Sequence, residues 1–396
     1  MIKTLKNPCS TYTILWILYY LQGSLFASVP GAGMLVMIIF LVLSLYYWIK
    51  VVREDNNLPI LLRGFNVMLF LFTAYGVFRI IDPTVIQRTG GVIQNPTIFL
   101  KCSYISLLPI FTFYHFCKRG YLTEEWIRKF TLVFFGFAIL QYFNYESNAL
   151  ASYQDLDYEV ELVTNNTGYL FISLLCLIPF FYNKQYYKYI LLICIIVFVI
   201  SAAKRGAIIC LIVGIYVLLR NEFKNTTLRN KSLTFILGGL CVFGAYRYIT
   251  YMMDTNLAYA ARFMFDESNT SGRNSIYDFF INVLKNEDNI IRLIFGYGAD
   301  GTIALSGNFA HNDWLEIAIN HGVVGLICYI YYYIAYIKSL KKLRADIFSH
   351  ISFVIIFTCC ILKSFFSMSI MDYQIFESAV LAFCLVHTGK SANGII

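Results

Sequence analysis

Apolar runs of around twenty residues recur along this chain, the length of helix that crosses about 30 Å of hydrocarbon. A chain built from such runs has no polar coat to put around a soluble core. Charged residues make up only 14% and hydrophobic ones 59%, whereas a soluble domain carries roughly a quarter charged residues. The sequence therefore predicts an all-α, polytopic integral membrane protein with about twelve spans, forming one transmembrane helical domain over residues 1–396. The spans run from Thr11–Val29, taken as an uncleaved first helix, through Ser232–Thr250 and Leu315–Ile337 to the adjacent pair His350–Ser369 and Ile370–His387. A large outer loop, residues 251–314, separates the ninth and tenth and carries short helices.

Charge sets the expected orientation. With the N-terminus inside, the inner connections are basic, as at Lys118-Arg119 and Lys341-Lys342, while the loop Glu146–Thr164 holds acids and no base. That is the positive-inside bias. The cations left on the outer side or in the outer half oppose it, among them Arg79, Lys204, Arg205, Arg247, Arg262, Arg273 and Lys363. Cations placed against the bias suit anion binding. The cysteines fall mostly inside apolar runs and read as small packing residues rather than disulfide partners. No Cys or His cluster has the spacing of a metal site, and nothing suggests nucleic acid as a partner.

The large loop carries three patterned stretches. Ile276, Phe279, Phe280, Val283 and Leu284 recur at helical spacing, which predicts an amphipathic helix near the membrane surface with Arg273 in its first turn and Asn269 or Ser271 as cap. Phe295 to Gly301 (Phe-Gly-Tyr-Gly-Ala-Asp-Gly) lacks the strand context of a nucleotide fingerprint and reads as an ordinary turn. Then His311-Asn312 is followed, after nine intervening residues, by Gly322 and, after two intervening residues, by Gly325.

The pattern His-Asn-x9-Gly-x-x-Gly resembles the O-antigen ligase and O-antigen polymerase superfamily. Ser271-Gly272-Arg273 and Ser201-Ala-Ala-Lys-Arg-Gly-Ala207 resemble it too. By motif the resemblance covers the C-terminal half; by helix count and loop position it covers the whole chain. Two departures stand out: Lys204-Arg205-Gly206 replaces a Ser-Arg-Gly common in the family, and the aromatic expected after Ser-Gly-Arg is Tyr277 rather than Trp.

The resemblance implies a glycosyltransferase of C-type fold in the bacterial inner membrane, its active site facing the periplasm. Its substrate would be a glycan linked to undecaprenyl diphosphate, transferred to a hydroxyl without metal or other cofactor. Besides membrane lipid, a chain-length regulator or flippase would be its partner. A departing lipid diphosphate develops negative charge that arginine's planar fork can stabilise, which points first to Arg205 and Arg273, with Lys204, Arg247 and Arg262 assisting. A histidine near neutrality suits the base that takes the acceptor's proton, which points to His311, with Asn312 beside it as a substrate contact. Asp300, Asp313 and Glu316 stand open as groups that orient His311 or act as base themselves; His321 reads as structural or pore-lining. Polymerisation of repeat units is the leading function. The alternatives are ligation of a finished glycan to the lipid A core and, in another class, transport or flipping of lipid-linked sugars.

Overall fold

The structure is a computed structural model that describes residues 7–21, 31–81, 96–154, 165–182, 184–225, 239, 243–244, 246–255, 273–343 and 347–392. Regular structure there is entirely helical. Two compact units emerge: residues 1–122, 270–346 and 363–396 form one, and residues 123–269 with 347–362 the other.

The first unit opens with α1 (Pro8–Tyr20), α2 (Ala32–Glu54), α3 (Ile60–Ile81), α4 (Pro96–Leu107) and α5 (Pro109–Lys118). Asn7 caps α1 by accepting from the Cys9 amide, and Pro8 sits at the first helical position, where no amide is missed. The buried Tyr12 of α1 stacks on Phe40 of α2 at 4.8 Å between centroids and shares a 2.6 Å hydrogen bond with Ser44. The outward faces are apolar: Met34, Leu35 and Val42 on α2, and Phe70 and Phe78 on α3, are exposed. Apolar exposure on this scale suits lipid rather than water.

The unit continues through α10 (Arg273–Lys285), α11 (Ile290–Phe295), α12 (Gly301–Ser306), α13 (Asp313–Lys342) and, beyond the last helix shared by both units, α15 (Ile375–Ala392). The helix between them, α14 (Ile347–Phe366), contributes residues 347–362 to the second unit and 363–366 to the first. Helix α13 lies along α3, and α15 along α5. Gly64 allows the first contact, since a Cβ there would stand 2.9 Å from the Ala335 Cβ; small residues let membrane helices approach closely. Tyr332 and Tyr336 of α13 meet Tyr373 through their hydroxyls, the latter pair at 2.7 Å. All three of these tyrosines are buried.

The second unit contains α6 (Glu124–Gln154), α7 (Gly168–Ser173), a 3-10 helix (Leu174–Phe181), α8 (Gln185–Ser201) and α9 (Arg205–Asn225). Pro179 has no amide to give a ladder, and the surrounding turn takes the tighter 3-10 form. Phe171 stacks on Phe198 at 4.6 Å, joining α7 to α8.

Among the described residues five helical segments are long and apolar enough to span a membrane: 32–54, 60–80, 97–118 (α4 and α5 together), 313–342 and 348–366; three shorter apolar segments cover 168–181, 186–201 and 375–387. This is a polytopic helical membrane protein, but the described residues do not bear the expected count of about twelve spans. Most of Ser232–Thr250 lies outside them. The expected final pair is separated by a non-helical stretch at 367–374, and the expected span Leu315–Ile337 is broken inside.

Candidate active site

Gly322 breaks α13. Its φ of 61° and ψ of −155° are non-helical, in a region essentially reserved for glycine. The consequence is visible in Asp313, which accepts a 2.7 Å hydrogen bond from the Tyr329 hydroxyl sixteen residues on. In a straight helix those residues would stand about 24 Å apart along the axis. Trp314 likewise stacks on Tyr333 at 5.6 Å. Helix α13 is therefore two arms, 313–321 and 323–342, folded at Gly322 so that the short arm returns alongside the long one.

A fold of this kind orphans the carbonyls at the end of the first arm. The glycine-rich turn supplies their donors: the Tyr297 amide donates to the Ile319 carbonyl at 2.8 Å and the Gly298 amide to that of Asn320 at 2.9 Å. The Tyr75 hydroxyl donates to the carbonyls of Phe295 at 2.7 Å and His321 at 3.4 Å. A Cβ on Gly296 would lie 2.5 Å from backbone atoms of Asn320 and His321, so this is a backbone-to-backbone dock rather than an ordinary turn. His321 is buried among Phe72, Tyr75 and Phe99, which makes it structural.

His311 sits immediately before the folded arm. Half-buried, it carries a positive φ of 52°, a conformation uncommon outside glycine. Asn312 follows as the helix cap, its side-chain oxygen accepting from the amides of Trp314 at 2.9 Å and Leu315 at 3.2 Å. Its amide nitrogen donates to the Phe365 carbonyl at 3.4 Å. The residue expected to contact substrate is thus engaged in holding the loop. Helix α10 forms with Arg273 as its first residue, as the spacing predicts; Asn269, Ser271 and the side chain of Arg273 lie outside what is described. One turn on, the Tyr277 hydroxyl donates to the His311 carbonyl at 3.3 Å, so the helix that begins at Arg273 is tied to the histidine loop. On its inner face Phe280 is fully buried in a cluster with Ala310 and Ile319, with Ile276, Val283 and Leu284 packed around; Phe279 is exposed. Tyr277→Phe removes one hydroxyl and costs about 1 kcal/mol. The expected result is a thermal midpoint slightly below wild type in a detergent-solubilised unfolding series.

The carboxylates left open by the sequence are buried and committed. Asp300 pairs with the buried Arg79 of α3. Asp313 accepts from the backbone amides of Ser369 at 2.9 Å and Ile370 at 3.2 Å besides Tyr329. Glu316 accepts from the Ala310 amide at 2.8 Å, from Asn320 at 2.9 Å and from the Thr302 hydroxyl. The Ala310 bond anchors the residue next to His311. These groups secure the loop's backbone, and sequence spacing alone had no way to reveal partners such as Arg79, distant in the chain.

The other expected cations belong to the second unit. Arg205 is the first residue of α9, half-buried. A cation at a helix N-terminus opposes the macrodipole, whereas the positive dipole and a guanidinium together favour an anion. Lys204, just before it, donates to Asn166 and lies 5.5 Å over the Tyr169 ring. Ala203 has a φ of 50°, turning the chain between α8 and α9. Ser201 and Tyr248 share a 2.8 Å hydrogen bond, which ties the exposed Arg247's helical stretch, residues 246–255, to this turn. Arg262 lies outside the described residues. Among those residues no three His, Cys, Asp or Glu side chains gather where they could hold a metal ion.

Residues 190–330 match the family described as O-antigen ligase. All three motifs from which the resemblance was drawn fall within that stretch, which supports the likeness to the O-antigen ligase and polymerase superfamily. No curated protein matches the chain.

Proposed function

We propose that this chain, whose residues 190–330 carry an O-antigen ligase domain, is a membrane glycosyltransferase that polymerises lipid-linked repeat units. The observation that carries the reading is the His311 loop. A histidine in a left-handed conformation, fixed on both sides by a cap and by a buried carboxylate, is held for something other than packing. His311 takes the proton of an acceptor hydroxyl as its oxygen bonds to the anomeric carbon of the donor glycan. The bond from that carbon to the diphosphate oxygen breaks, and undecaprenyl diphosphate leaves. Arg273 carries the charge that develops on it; Arg205, Lys204, Arg247 and Arg262 are the further cations that the sequence offers for that charge. The active site faces the periplasm of the inner membrane, the side that the basic connections leave to the outer loop.

A second reading is favoured by the description of the matching family: ligation of a finished glycan to the lipid A core. The chemistry is the same and the acceptor differs. Deleting the gene in its native host and resolving surface and lipid-linked glycans on a gel separates them. Loss of the ladder, with single repeat units left on the core, is the result expected of a polymerase. Long glycans stranded on the lipid carrier beside a bare core identify a ligase. Glycans unchanged by the deletion would overturn both.

A further inference from the structure

Helix α10 has a second face. Phe279, Asn282 and Asn286 stand at i, i+3 and i+7, a single stripe, turned from the face that buries Phe280. Together with Glu287, Tyr297 and Leu305 they line an open groove of about 380 Å³, within the range of small-ligand sites. Phe279 is 41% exposed and is braced edge-on against Phe280 at 5.3 Å.

The polar groups of the groove are held in place. One Glu287 oxygen accepts from the Asn289 amide at 2.9 Å and the other from the Tyr297 hydroxyl. The Arg292 guanidinium lies 3.7 Å from the carboxylate and 5.3 Å over the Tyr297 ring. The Tyr297 hydroxyl bond, ahead of the other contacts, holds the Glu287 carboxyl below its usual range, and burial, with Glu287 assisting, pushes Tyr297 up to about 12. The pair thus stays as carboxylate and phenol across the physiological range.

A pyranose presents an apolar face of C–H groups and a rim of hydroxyls that both donate and accept. An exposed aromatic ring beside amides, which also do both, and a fixed carboxylate, which accepts, is its complement. A lipid chain would want an unbroken apolar lining, and Arg292, the cation beside the groove, is already turned to Glu287 and the Tyr297 ring. We propose that this groove is a saccharide subsite, distinct from the His311 loop, that grips uncharged sugar units of the glycan away from the bond being made. It rests on the glycan-transfer reading and leaves open by chemistry alone whether donor or acceptor lies in it.

The test uses the full chain in lipid nanodiscs. The probe is the soluble oligosaccharide repeat released by mild acid from the host's own surface polysaccharide, followed by saturation-transfer NMR. Phe279→Ala and Asn282→Ala, both at exposed positions, should elute and melt as wild type does and weaken binding about fivefold or more, with Asn286→Ala as a further variant. In turnover the same substitutions should raise the KM of one lipid-linked substrate several-fold with kcat held within twofold. A rise in the donor's KM assigns the groove to the donor, and a rise in the acceptor's KM to the acceptor. Wild type that fails to bind the oligosaccharide, or variants that bind within twofold of it, overturn the subsite while transfer itself stands. Variant-sensitive binding without transfer to any acceptor keeps the subsite and overturns the glycosyltransferase.

Discussion

His311→Asn lowers the rate of glycan transfer by about 10²–10⁴-fold, the usual contribution of a positioned general base, while the protein keeps its fold. Asparagine is the informative replacement because it tolerates the left-handed backbone that His311 occupies at φ 52°, whereas alanine would add strain to the chemical loss. Turnover of lipid-linked repeat units by the purified protein measures it. Activity within threefold of wild type would remove His311 from the chemistry.

Gly322→Ala should cost about 3–5 kcal/mol, the range reserved for strained backbone and overpacked contacts. A Cβ there meets the Ile294 carbonyl oxygen at 2.5 Å and the Gly296 amide nitrogen at 2.6 Å. Both are backbone atoms and cannot swing aside. Either the arms of α13 unfold from one another or the glycine-rich turn lifts off. In both cases the 286–301 segment, which exposes Ile290 and Ile291, becomes open to protease. Gly307→Ala is the control: it too has positive φ, at 76°, but nothing lies within 4 Å of its Cβ, so it costs about 1 kcal/mol. The measurements are thermal midpoint and limited proteolysis in detergent, and equal behaviour of the two variants would refute the dock.

The contrast between those two glycines shows where sequence reading stops. Local periodicity was enough for α10 as a helix: Ile276, Phe280, Val283 and Leu284 repeat with its turns and pack inward, while Phe279, counted on the same face, is exposed. The resemblance, not the periodicity, marks His311 and Arg273. Periodicity failed at Gly322, because a glycine within an apolar run is compatible with a continuous span, and only the Asp313–Tyr329 bond reveals that the run folds back. The same limit misplaced the start of the expected span Leu315–Ile337, since hydropathy measures the apolarity of a window and not its direction. Asp300, Asp313 and Glu316 stayed ambiguous for a related reason: a carboxylate's role depends on its donors, and these come from Arg79, from Ser369 and Ile370, and from Ala310. Asn312 looked like a substrate contact and caps a helix.

Asp313 also imposes an order on biogenesis. Two of its donors, the amides of Ser369 and Ile370, are synthesised more than fifty residues after it, as the separations of 56 and 57 residues attest. While the ribosome is still making α14, the short arm of α13 carries a carboxylate with neither of those amides to receive it, and the histidine loop at its head is only partly secured. The loop is fully secured only once the stretch leading to the final helix has been made and folded back onto Asp313.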